Sequence, residues 1–120
     1  MRAVFAVNFR SVLFWAAALF AFVMACMPQG PQIPGISNDK VQHIIAFVTL
    51  AILAIRAFVR TPLRYILVGL SAYGALIEIV QAIPALHRDS DWKDWAADSL
   101  AVAAVCLASF CAARIRLHAQ

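Results

Sequence analysis

From Ser11 to Met27 the chain runs seventeen residues with Ser11 as its only polar side chain, and Pro28, Pro31 and Pro34 follow. Three further apolar runs come after it, each bounded by proline, arginine or aspartate. A helix of about 20 apolar residues matches the hydrocarbon thickness of a bilayer. Chains of this kind fold as helices because lipid offers no partner to an open backbone N–H or C=O. Hydrophobic residues make up 64% of the 120 residues and charged ones 13%, against about 25% charged in an ordinary soluble domain. So small a globule cannot hide that much apolar surface from water. The expected fold is therefore all-α: a single-domain integral membrane bundle of four transmembrane helices over about 5–27, 39–58, 62–83 and 91–113.

The punctuation supports those bounds. Ser37 or Asn38 can cap the second helix, with Asp39 in its first turn where the helix dipole favours an acid. Thr61-Pro62 reads as a cap followed by proline at the first helical position. Pro84 ends the third helix, and the fourth opens near Asp91, with Arg114 and Arg116 closing it. The first run also has the look of a secretion signal: a basic start, an apolar middle, and Val23-Met24-Ala25-Cys26 as a weak lipoprotein box. Retention is favoured, because the later spans need a neighbour to cover their polar faces. Cys26, Cys106 and Cys111 all lie in apolar runs, an odd count that reads as small buried residues and not as a disulfide framework.

The net charge of +4 would suggest nucleic acid in a soluble protein; here it reads as topology. Arg2, Arg10, Arg56, Arg60, Arg64, Arg114 and Arg116 fall at one set of helix ends. Lys40, Arg88 and Lys93 fall at the other, mixed with Asp39, Asp89, Asp91 and Asp94. By the excess of Lys and Arg in cytoplasmic loops, both termini are expected to be cytoplasmic, with loops 28–38 and 84–90 facing outward. Trp92, Trp95 and Tyr73 suit a membrane interface.

The polar residues left over converge. Asp39 and His43 share a helix face at i, i+4. Gly74, Glu78 and Gln81 follow at i, i+4, i+7, and Asp91, Asp94 and Asp98 at i, i+3, i+7. Each set lies toward the outward end of its own span, with Glu78 about 9 Å below the rim. An acid inside a span costs too much to be incidental, so Glu78, Asp94 and Asp98 are expected to be paired, protonated or hydrated, with Lys40, His43, Arg88 and Lys93 as the candidate partners. Asp39 and Asp91 serve equally well as helix caps. Gln81 either joins the pocket or orients Glu78, and Gly74 lets helices approach closely.

At these residues the chain resembles the VanZ-like family of small bacterial membrane proteins. Asp39, Lys40, His43 and Phe47 match its D-K-x-x-H-x-x-x-F segment, and Gly74, Glu78 and Gln81 its G-x-x-x-E-x-x-Q segment. Arg88, Asp94 and Asp98 match R-x-x-x-x-x-D-x-x-x-[ND], in the same order and at similar separations. Many members carry Asn where this chain has Asp98. The resemblance implies a multi-pass protein of the bacterial plasma membrane, with a link to teicoplanin resistance.

An outward pocket that binds, and could modify, a membrane lipid or lipid-linked envelope component follows as the leading expectation. Glu78, His43 and Asp94 are its candidate proton-handling residues, and Asp39, Lys40, Gln81, Arg88, Asp91, Lys93 and Asp98 its candidate ligand-binding residues. Arg88, Lys40 and Lys93 could hold a phosphate. No cofactor motif is present, although a divalent cation could sit on Asp94, Asp98 and Glu78. The competing readings are a non-catalytic assembly module and a small proton-coupled transporter. Four spans can stand alone or pair with copies of themselves.

Overall fold

The computed structural model describes residues 8–28, 39–86 and 90–120, with Asp39 by its backbone alone. The loop caps Ser37 and Asn38, and His87, Arg88 and Asp89, lie outside the described residues. Four helices follow one another: α1 (Phe9–Cys26), α2 (Asp39–Ala57), α3 (Leu63–Gln81) and α4 (Trp92–His118), with a short 3-10 turn at Pro84–Leu86. No strand occurs among the described residues. All four helices are long and apolar enough to cross a membrane, which makes the chain a multi-pass membrane protein.

Each boundary has a local cause. Asn8 caps α1 by accepting from the Arg10 amide at 3.1 Å, and Pro28 follows its end. At the start of α3, Pro62 itself occupies the cap position, with no side-chain hydrogen bond, so Thr61 does not cap as expected. Asp91 caps α4 by accepting from the Lys93 amide at 3.0 Å. The fourth helix does not stop near 113 but continues to His118. Nothing in Arg114–His118 breaks a helix, and Arg116 and His118 in the last turn complement the dipole. At 27 residues α4 is about 40 Å long, whereas the others are about 27–29 Å.

The helices run up and down. α4 packs against both α2 and α3, and α1 docks on α2 and on α3. Small side chains let the backbones close on one another: Ala51, Ala54 and Ala57 of α2 are buried, as is Ala18 of α1. Leu50, Leu70 and Val102 fill the space between. On the outer faces Leu19, Val68, Leu100 and Leu107 are 63–71% exposed, a surface that calls for lipid and not water as its solvent. Arg10, Arg56, Arg64 and Arg114 gather at one end of the bundle. The acids of α2, α3 and α4 gather at the other, hereafter the polar end.

Candidate functional site

Three helices bring ionisable groups together at the polar end. His43 lies one turn into α2, Glu78 one turn from the close of α3, and Asp94 and Asp98 in the first two turns of α4. All four are buried, at 8, 8, 7 and 0% exposed respectively. His43 Nδ1 stands 3.2 Å from Asp98 Oδ2. Lys40 Nζ, on the same helix as His43, reaches Asp94 Oδ1 at 3.7 Å, with its side chain 40% exposed. A charge-assisted contact of this kind compensates part of the cost of taking an acid out of water.

Glu78 is held from the chain that leads into α4. Ser90 Oγ lies 2.9 Å from the Glu78 carbonyl and 3.1 Å from its Oε2, and the Asp91 amide donates to the same Oε2 at 3.0 Å. That carbonyl already accepts from the Ala82 amide at 3.1 Å, so Ser90 is a second donor to it. Ser90 thus ties both the last turn of α3 and its acid to the approach to α4. Glu78 Oε1 has no hydrogen-bond partner among the described residues. One donor atom from each of His43, Glu78 and Asp94 lies within 4.8 Å of the others.

The remaining expected residues divide. Gln81 is buried, but its Nε2 donates to the Ala25 carbonyl of α1 at 3.1 Å, so it ties α1 to the bundle. The Asp91 side chain caps α4. Lys93 is exposed. The side chain of Asp39, and all of Arg88, lie outside the described residues. Gly74 behaves as its spacing suggests. A Cβ there would come within 3.3 Å of Phe47 Cζ and 3.5 Å of Trp95 Cδ1, so the missing side chain is what lets Phe47 and Trp95 close over α3.

Several contacts had no visible signal in the spacing. Ser90 is a loop residue twelve positions from the acid it holds. Tyr73, expected at an interface, is instead half-buried in mid-span and donates its hydroxyl to the Ala18 carbonyl. Ser71 and Ser99 pair across α3 and α4 at 2.9 Å, and Trp95 Nε1 donates to the Ser71 carbonyl at 3.0 Å. A serine in an apolar run is a sign of interhelical hydrogen bonding, and that sign was present for these two.

Chemically, the cluster offers three carboxyl groups and an imidazole out of water, with the half-exposed Lys40 ammonium beside them. It can hold a cation, relay a proton, or receive a polar headgroup through Lys40. No protein-family model, curated protein or solved structure matches the chain.

Proposed function

We propose that this chain is a VanZ-like protein of the bacterial plasma membrane, with both termini cytoplasmic and the polar end facing outward. Its buried cluster binds the phosphate-bearing headgroup of a lipid-linked cell-envelope component. The observation that carries this reading is the delivery of His43, Glu78, Asp94 and Asp98 by three separate spans to one point under the bundle's surface. Isolated intramembrane acids are expensive, and such residues in general mark ligand or proton paths. The gathering of arginines at the opposite end supports the orientation. The three motif segments support the family. Lys40 and Lys93 lie at the rim where a phosphate would arrive, and Arg88 joins them in sequence. Inside, Glu78 and His43 are the groups that would carry a proton, with Asp94 and Asp98 orienting them.

The test is retention of a polyprenyl phosphate by the full chain in nanodiscs, read by native mass spectrometry. Wild type should keep the lipid through detergent exchange. His43→Ala and Glu78→Gln should lose it while remaining monodisperse. Equal retention by all three proteins would sink the proposal. In a glycopeptide-sensitive host, expression should raise the teicoplanin concentration that stops growth, and Glu78→Gln should remove that effect.

A second reading has its own observation. The described carboxylates of the cluster tie neighbouring segments together: Asp94 and Asp98 both meet α2, and Glu78 meets the approach to α4. That is what a non-catalytic assembly module would use as a staple. In that case the same two substitutions lower abundance and melting temperature, and no difference in lipid retention survives correction for folded protein.

A further inference from the structure

We infer that His43, Glu78 and Asp94 form a binding site for a divalent transition-metal ion of the zinc type. Their donor atoms lie within 4.8 Å of one another, all three residues are buried, and each stands on a different helix. Zinc–nitrogen and zinc–oxygen bonds of about 2.0–2.1 Å in a tetrahedral arrangement bring donors to about 3.4 Å apart. Binding therefore draws the donor atoms in by at most about 1.4 Å and clasps α2, α3 and α4 together.

The surroundings fit an ion in two independent ways. First, Glu78 is more than nine-tenths buried and its Oε1 has no hydrogen-bond partner among the described residues, while Oε2 is already occupied by Ser90 and Asp91. A buried oxygen in that state costs free energy unless something meets it. Second, Asp98 stands against His43 Nδ1. A carboxylate on one ring nitrogen selects the tautomer whose other nitrogen carries the lone pair, and it raises that nitrogen's basicity. Protons can neutralise the same acids, so the experiment must read the metal itself.

The ligand set also speaks to the ion. From the carboxylates alone, Asp94, Asp98 and Glu78 suggest a hard cation such as magnesium or calcium. The structure puts the imidazole of His43 beside Glu78 and Asp94, and turns Asp98 toward the imidazole. One nitrogen and two oxygens suit zinc, or cobalt in its place, better than an ion that prefers all-oxygen ligands. Three protein ligands leave a coordination position open. The inference deepens the headgroup reading, and rests on it only in that a lipid phosphate oxygen is the ligand for that open position; the metal itself is tested without lipid.

The full chain is stripped with chelator in detergent and titrated with cobalt(II). Saturable visible absorption at one cobalt per chain is expected, displaced by zinc and left in place by a large excess of magnesium or calcium. Glu78→Gln and Asp94→Asn, checked for monodispersity, should each weaken binding by about tenfold or more; where one fails to fold, the other carries the assignment. Absence of a saturable cobalt spectrum in wild type overturns the inference, as does unchanged affinity in a folded variant or equal displacement by magnesium. If cobalt fails to bind while polyprenyl phosphate is retained, the metal falls and the headgroup reading stands. If cobalt binds and the lipid is not retained, the reverse holds.

Discussion

The two ends of this bundle are held by different forces. At the polar end, directional contacts cross between helices: His43 to Asp98, Lys40 to Asp94, Ser90 and Asp91 to Glu78, and Gln81 to the Ala25 carbonyl. At the arginine end, aromatic edges do the work. Phe14 meets Phe58 at 5.3 Å between centroids, and Trp15 stacks edge-on against Phe14 at 5.0 Å. Next to them an apolar groove of about 520 Å³ opens between α1 and α3, lined by Trp15, Phe58, Tyr65 and Gly69 among others. In water that groove would be the natural candidate for a binding site. In lipid it needs no polar ligand, and none of the cluster's ionisable residues lines it. Lipid tails are as apolar as leucine, so apolar packing alone gives helices little preference for one another over lipid. The polar end is where this sequence specifies which helix faces which.

The largest effect should come from breaking that end. Asp98 has no exposed surface, and Asp98→Ala removes the carboxylate that faces His43. Removing one partner of a buried pair costs about 3–5 kcal/mol in soluble proteins. Hydrogen bonds within membranes average nearer to about 0.6 kcal/mol. We expect a loss of about 3 kcal/mol, close to the soluble value, because the substitution removes a fully buried carboxylate from its 3.2 Å contact with the buried His43 ring. Unfolding of the detergent-solubilised chain by a graded denaturing detergent reads the change. A loss under about 1 kcal/mol would place the polar end with ordinary membrane hydrogen bonds and erase the contrast between the two ends.

A smaller effect sharpens the comparison from the packing side. Gly74 lies one turn before Glu78 on α3, where the Phe47 and Trp95 rings close over it. Phe47 is 2% exposed and has little room to retreat. Gly74→Val should therefore cost about 1–3 kcal/mol through overpacking, and it should separate α2 from α3 near His43. The same denaturation, together with cobalt titration, distinguishes the two consequences. Lost stability with unchanged metal affinity would show that the ring contacts support the bundle without shaping the cluster.

Much of the polar end was legible in the residues themselves. Helical spacing alone put His43, Glu78, Asp94 and Asp98 on converging faces, because an acid in an apolar run has few places to go and i, i+4 neighbours share a side. Partner choice was not legible. Whether Asp98 or Asp94 takes His43 depends on the axial offset of α4 against α2 by about one turn, since the two acids share a face, and the sequence constrains that offset only through packing. Gln81 shows the limit plainly: by spacing it belongs with Glu78, yet its amide turns to Ala25 near the end of α1, where a helix carbonyl still has acceptor capacity. Ser90 shows a second limit. Loop residues have no period, so nothing linked Ser90 to Glu78 until the chain folded back. The arginine end was legible only as charge. Its aromatic contacts and its groove follow from the docking angle of α1, and a uniformly apolar run does not encode an angle.

The smallest effect is expected where the apolar end meets lipid. Trp15 is 63% exposed and touches Phe14 and Phe58 by its edge. In water, deleting such a ring would forfeit aromatic contacts of about 0.5–1.5 kcal/mol and some buried area besides. In a bilayer, an acyl chain replaces the lost surface at almost no cost, since both environments are apolar. Trp15→Leu should therefore change stability by less than about 0.5 kcal/mol, the range of substitutions away from any packed or paired feature. Under the same denaturing detergent, a loss as large as that of Asp98→Ala would mean that the aromatic edges hold α1 as firmly as the charges hold α2, α3 and α4. The groove would then be a built surface and not a gap for lipid. A change confined to the smaller range leaves the bundle's specificity where the ionisable groups are, with α1 bound to it through Tyr73 and Gln81 more than through its rings.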